Sequence, residues 1–133
     1  MILVDTSVWV EIFRDKTGRI VKSFQDITRS EHYVLSRFNQ LELLQGAKND
    51  KEWDLLDEYL NTQFYLEATD STWQQAGRIY FELRRKGVTI NSAIDCCIAQ
   101  IALEHGAALL HRDKDFEKIA RIRTLEQEYF RWE

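Results

Sequence analysis

The sequence predicts an α/β fold, a small and mainly parallel sheet of four to five strands with helices on both faces. Three observations carry this. The short apolar runs Ile2-Leu3-Val4, Tyr33-Val34-Leu35, Phe64-Tyr65-Leu66 and Ala107-Ala108-Leu109-Leu110 are continuous, as in strands buried on both faces. Segments with helical spacing of apolar residues separate them, and strand–helix alternation implies right-handed crossovers and a parallel sheet. Helical period covers far more of the chain than the strand runs do, so the sheet must be small. A chain of 133 residues fits one domain, expected to span 1–133, and buries enough apolar surface to fold without a disulfide or a structural metal.

The elements follow in order. Ile2-Leu3-Val4 stops at Asp5-Thr6-Ser7, where Thr6 or Ser7 can cap a helix from Val8 to about Arg14. Ile20, Phe24 and Ile27 space a second helix over Arg19 to Ser30. After the Tyr33 strand, Phe38, Leu41 and Leu44 form the apolar stripe of a helix ended by Gly46. Lys51 to Asn61 carries Trp53, Leu56 and Leu60 on one stripe, and the Phe64 strand follows. Asp70-Ser71 opens a long helix through Trp73, Ala76, Tyr80 and Leu83 to near Gly87, and Asn91-Ser92 opens another that Gly106 ends. Beyond the Ala107 strand the chain reads as a helix from about Asp115 to Ala120, then Ile122 to Leu125 as a candidate edge strand.

Composition excludes several classes. The chain is 44% hydrophobic and 30% charged, a globular rather than a disordered balance. No apolar run reaches the roughly 18 residues of a membrane span, so no membrane partner is expected. Met1-Ile2-Leu3-Val4-Asp5 lacks the basic stretch of a signal peptide, which makes the cytoplasm the expected compartment. Cys96 and Cys97 are adjacent and fit neither a redox pair nor a zinc site; they read as small buried hydrophobes. With 18 Lys+Arg against 22 Asp+Glu, net charge does not drive binding to nucleic acid, although a local basic rim could.

The informative feature is where certain acids fall. Asp5 ends the first strand, and the functional crevice of an open α/β sheet lies outside the carboxyl ends of its strands. Asp113 lies just beyond the fourth run and Asp115 two residues later, so these ends are neighbours if the first and fourth strands pair. Asp95 sits three residues after Ser92, in a first helical turn that favours an anion. Glu42 interrupts the apolar stretch Leu41-Glu42-Leu43-Leu44. Each acid alone has an ordinary reading as a cap, a turn or a solvated residue. Gathered at one crevice they would repel and hold their protons unless a cation joined them. Oxygen-only donors favour Mg²⁺ or Mn²⁺ over Zn²⁺. Such an ion polarises a phosphodiester, and a carboxylate orients or deprotonates the attacking water. Ser7 could hydrogen-bond a water at that site.

Four segments in order, Ile2-Leu3-Val4-Asp5-Thr6-Ser7-Val8-Trp9, Leu41-Glu42-Leu43-Leu44-Gln45-Gly46, Ile94-Asp95-Cys96-Cys97-Ile98-Ala99 and Leu109-Leu110-His111-Arg112-Asp113-Lys114-Asp115-Phe116, make the chain resemble the PIN-domain ribonucleases, specifically the VapC-type toxins. The resemblance covers essentially the whole chain. It implies a PIN-like fold and Mg²⁺- or Mn²⁺-dependent endonucleolytic cleavage of RNA. Asp5, Glu42, Asp95 and Asp113 match the family's acidic quartet, Asp115 a further acid beside it, and Ser7 the hydroxyl near the metal. The family often has Thr where this chain has His111. VapC-like proteins commonly dimerise and are held by a VapB antitoxin whose tail lies in a hydrophobic groove and presents a basic residue to the acidic site. Trp9, Phe13, Trp53, Tyr59, Trp73 and Tyr80 are more aromatics than thin strands need, and about half are expected in the core. Tyr129, Phe130 and Trp132 dock the tail or join an interface.

Arg84-Arg85-Lys86 and the group Arg112, Lys114, Lys118, Arg121 and Arg123 are the candidate phosphate contacts, with Arg85, Arg112 and Lys114 foremost. Any base preference would require single-stranded or looped RNA. Two other readings compete. A non-catalytic PIN-like RNA- or protein-binding module would keep the fold with an incomplete acidic site. A receiver domain would need a phosphorylatable Asp ending the third strand, where Glu67-Ala68-Thr69 stands. A phosphate-binding P-loop is excluded, since no GxxxxGK[ST] occurs.

Overall fold

The first apolar run becomes the central strand. The computed structural model describes residues 1–132, ordered β1 (Ile2–Val4), α1 (Thr6–Arg14), α2 (Arg19–Thr28), β2 (Tyr33–Ser36), α3 (Arg37–Gln45), α4 (Asp50–Leu60), β3 (Tyr65–Leu66), α5 (Thr72–Arg85), α6 (Ala93–His105), β4 (Ala108–His111), α7 (Lys114–Ala120) and β5 (Gln127–Tyr129). The sheet order is β3-β2-β1-β4-β5, and every pairing is parallel. β1 and β4 pair as Ile2↔Ala108, Leu3↔Leu109 and Val4↔Leu110, and the Asp5 amide continues the ladder to the Leu110 carbonyl at 2.9 Å. The chain winds outward to β3 on one side of β1 and then crosses to β4 on the other. That reversal opens a crevice at the carboxyl ends of β1 and β4.

Side chains alternate across the sheet, yet both faces are covered. Leu3, Val34, Leu66 and Leu109 pack with Ile79 and Leu83 of α5, Ile98 and Ile101 of α6, and Phe116 and Ile119 of α7. Ile2, Val4, Leu35 and Leu110 pack with Val8 and Trp9 of α1, Phe24 of α2 and Leu60 of α4. Burial on both faces is why the strand runs are continuous rather than alternating.

Three local readings are corrected. The fifth strand is Gln127–Tyr129 rather than Ile122 to Leu125, because the amides of Ile122 and Arg123 return to the Ile119 carbonyl and close α7. Asp5 itself caps α1, its Oδ2 accepting from the Ser7 amide at 3.1 Å. On α3 the expected apolar stripe is broken: Leu41 is 56% exposed while Asn39 is fully buried. Cys96 is buried, Cys97 half-buried, and both are free. Among the described residues no helix is long and apolar enough to cross a membrane.

Candidate active site

The crevice is lined first by Asp5. Capping α1 fixes one edge of its carboxylate: Oδ2 accepts from the Ser7 amide and, at 2.6 Å, from the Ser7 hydroxyl. The other oxygen receives Asn39 Nδ2 at 3.3 Å. Asn39 is in turn held by β2's last residue, since its Oδ1 accepts from the Ser36 amide at 2.9 Å and the Ser36 hydroxyl at 2.7 Å. An amide nitrogen can only donate, so this contact fixes which end of Asn39 faces Asp5. Asn39 Nδ2 also donates to Thr6 Oγ1 at 3.1 Å, and Thr6 donates to Glu42 Oε1 at 2.8 Å. One buried amide thus orients two acids, Asp5 at the cap of α1 and Glu42 on α3. Burial holds Asp5 above the usual carboxylate range against the hydrogen bonds from Ser7, and burial followed by the Asp5 charge raises Glu42.

The second group forms at the start of two helices. Ser92 caps α6 and places Asp95 in its first turn; Asp113 caps α7, its Oδ1 accepting from the Asp115 amide at 2.9 Å. Asp95, Asp113 and Asp115 each bring a carboxylate oxygen within 4.8 Å of the others. Asp115 is nearly buried and anchored by the Asn91 amide at 2.8 Å and Lys118 Nζ at 3.2 Å. No described residue donates a hydrogen bond to the Asp95 carboxylate. Its pKa is pushed up to about 8, by burial first and then by the charges of Asp113, Asp5, Asp115 and Glu42.

This donor set fits a divalent cation. It is all oxygen, it converges from three carboxylates, and one of them lacks any partner to offset its burial. The close trio does not include Asp5, which was expected among the metal ligands. Ser7 and Asn39 fix the Asp5 carboxylate beside the trio, close enough for its charge to raise Asp95. The Ser7 proton goes to Asp5 and its oxygen accepts the Arg112 amide at 2.9 Å, so it ties β1's end to the loop after β4.

The basic rim is smaller than the sequence suggests. The Arg112 guanidinium donates to the Phe130 carbonyl at 2.8 Å and lies over the Trp132 ring at 4.4 Å, so it is held by the C-terminal segment rather than presented to phosphate. Lys118 is paired with Asp115, and Arg123 with Glu82. Arg84, Arg85, Lys86, Lys114 and Arg121 remain exposed. Of the aromatics, Trp9 is in the core and Tyr80 half-buried, while Phe13, Trp53, Tyr59 and Trp73 are exposed. Asn39 and Thr6 are the site residues that sequence reasoning misses as network partners. Their signal is the spacing of Asn39 and Glu42, three apart on one helical face, opposite Thr6 beside Asp5.

The PIN domain family model matches residues 2–122. VapC ribonuclease Mb1587 of Mycobacterium bovis and ribonuclease VapC11 of Mycobacterium tuberculosis are each 39% identical over 135 residues, covering 98% of this chain and 100% of theirs. Among solved structures, VapBC2 from Rickettsia felis bound to a promoter DNA fragment aligns with a TM-score of 0.79 at 20% identity, over 98% of this chain and 100% of that one. At that identity it speaks for the fold alone, and the fold agrees with the five-stranded parallel sheet and its crevice. With the family model matching residues 2–122 and 39% identity over nearly the whole chain, the chain belongs to the PIN-domain family and, within it, to the VapC ribonucleases.

Proposed function

We propose that this chain, a single PIN domain over 1–133, is a cytoplasmic Mg²⁺- or Mn²⁺-dependent endoribonuclease and the toxin of a VapBC-type toxin–antitoxin pair. The observation that carries the reading is the convergence of Asp95, Asp113 and Asp115 at the β1–β4 crevice beside Asp5 and Glu42. Asp95, Asp113 and Asp115 would hold the ion. When bound, such an ion polarises a phosphodiester and makes water a stronger nucleophile. Glu42, raised by burial and fixed by Thr6, is the carboxylate poised to take the proton of the attacking water. Asp5 shapes the charge between them, and Ser7 keeps Asp5 and the Asp113 loop in register. Exposed Arg85 and Lys114 are the phosphate contacts for single-stranded or looped RNA.

Purified protein incubated with total cellular RNA should give discrete cuts with Mg²⁺ or Mn²⁺. EDTA and Asp5→Asn should remove them. Absence of cuts from folded, antitoxin-free protein with both metals would overturn the enzyme in favour of a binding module.

The antitoxin site follows from a groove of about 570 Å³ between α1, α3 and α4. Val10, Phe13, Leu55, Leu56 and Tyr59 give it an apolar floor, and Glu42 lies at its edge, so an amphipathic segment seated there would bring a basic side chain to the acids. Leu55→Glu, at a position 61% exposed, should weaken antitoxin binding by about tenfold or more while cleavage by the free protein stays unchanged. Titration calorimetry with the antitoxin of its own operon checks this. Leu41 and Trp73, each 56% exposed, are the surface we assign to a homodimer.

A further inference from the structure

The loop that carries Asp113 is held at three consecutive residues, and two of those holds come from the C-terminal strand and the segment after it. His111 is fully buried. Its Nδ1 accepts from the Asp113 amide at 3.1 Å, so the ring proton lies on Nε2, which donates to Gln127 Oε1 at 2.6 Å. The ring is packed against Phe116 at 5.1 Å and Tyr129 at 5.7 Å. The His111 carbonyl accepts from the Phe130 amide at 2.6 Å. Next in sequence, Arg112 gives its amide to Ser7 and its guanidinium to the Phe130 carbonyl, between the rings of Trp132 and Tyr129. Asp113 comes last, its backbone set by His111 Nδ1 and its carboxylate bonded to the Asp115 amide.

We propose that β5 is the positioning element for the catalytic loop, and that Gln127 and His111 form a relay that sets the direction of Asp113. Gln127 offers an acceptor to Nε2, which keeps the proton there and leaves Nδ1 free to receive the Asp113 amide. Without that acceptor the proton can move to Nδ1, and the bond to Asp113 is lost. Neither residue reaches substrate; both act through the Asp113 backbone. Partners of this kind fix the orientation of ligands that are otherwise free to swing. The inference rests on the assignment of Asp113 to the metal site made above.

The test compares His111→Leu, Gln127→Leu and His111→Thr with the wild type. Each is assayed for Mn²⁺ affinity, followed by the paramagnetic resonance of the free ion, for kcat and KM on RNA, and for thermal midpoint. His111→Leu should weaken Mn²⁺ binding by about tenfold and lower kcat about 10–100-fold, with KM nearly unchanged. Gln127→Leu, at a half-buried edge position, should lose about 3–10-fold in both. A threonine hydroxyl can accept from the amide two residues on. His111→Thr should therefore recover Mn²⁺ binding to within about threefold of wild type, although it fills the cavity less well than leucine and melts lower. A purely structural role predicts the opposite order, with His111→Leu the better of the two. Observing that order, or finding Mn²⁺ affinity and kcat unchanged in His111→Leu and Gln127→Leu, would overturn the relay. The Mn²⁺ arm needs no cleavage: a wild type that binds the ion but cuts no RNA removes the ribonuclease assignment and leaves the relay tested. A wild type that binds no ion removes both.

Discussion

Asp95→Asn is expected to lower RNA cleavage by about 10²–10³-fold or more, and to make the metal-free protein more stable at pH 8. The two effects share one cause. Burial first, and then the charges of Asp113, Asp5, Asp115 and Glu42, hold the Asp95 proton up to about pH 8, and no described residue donates a hydrogen bond to offset them. An unfolded aspartate releases its proton near pH 4. Between these values the folded state binds more protons than the unfolded state, so stability falls as pH rises through the window. The contribution is full below about pH 4 and gone above about pH 8. Solvent still reaches the group and screens it, so the loss is about 1–3 kcal/mol rather than the full value of the shift. Depressed acids act in a different window with the opposite sign. Asp15 and Glu82, each lowered to about 2, contribute stability above about pH 4 that disappears only on acidification. A bound divalent ion should reverse the Asp95 trend, stabilising the protein more at pH 8 than at pH 5. In melting curves at pH 5, 6.5 and 8, the metal-free wild type should lose several degrees toward pH 8, and Mg²⁺ should restore them. Asp95→Asn should show a flatter profile and a smaller response to Mg²⁺. A wild type equally stable at pH 5 and pH 8 without metal would show that the acids do not repel as their spacing requires.

How much of this was legible depended on where the information lies in the chain. Asp5, Asp95 and Asp113 could be read because each follows a strong local signal: the end of an apolar run, a serine cap, and a second apolar run. The pairing of β1 with β4 then joins signals more than 100 residues apart, as the crossover rules allow. β5 was not legible as a strand. Gln127-Glu128-Tyr129 lies at an edge, partly exposed, and carries no apolar run. Its role is to bond backbone and His111, which composition does not reveal. The basic rim misled for a related reason. Sequence counts charges but does not show that Arg112, Lys118 and Arg123 are already committed to a carbonyl and two carboxylates. The burial on α3 inverted the usual expectation, since a leucine faces solvent and an asparagine faces the core.

That asparagine gives the second large effect. Asn39→Ala is expected to destabilise the fold by about 1–3 kcal/mol and to lower kcat by about 10–100-fold with little change in KM. The stability term arises because the Ser36 amide and hydroxyl, both buried, lose their acceptor together, while Asp5 loses a donor. The catalytic term arises because Thr6 is then held only by Glu42, and the geometry between Asp5 and Glu42 is no longer fixed from one amide. Asn39→Asp tests the orientation directly. Its carboxylate can still accept from Ser36, but it cannot donate to Asp5 or Thr6, and it adds a fully buried negative charge beside an acid that burial already raises. Both stability and cleavage should therefore fall at least as far as in Asn39→Ala. Urea unfolding shows which preparations are folded, and single-turnover kinetics on those preparations decide the matter. If folded variants cleave RNA at the wild-type rate, Asn39 is a packing residue and the orientation of Asp5 and Glu42 must come from Ser7 and Thr6 alone.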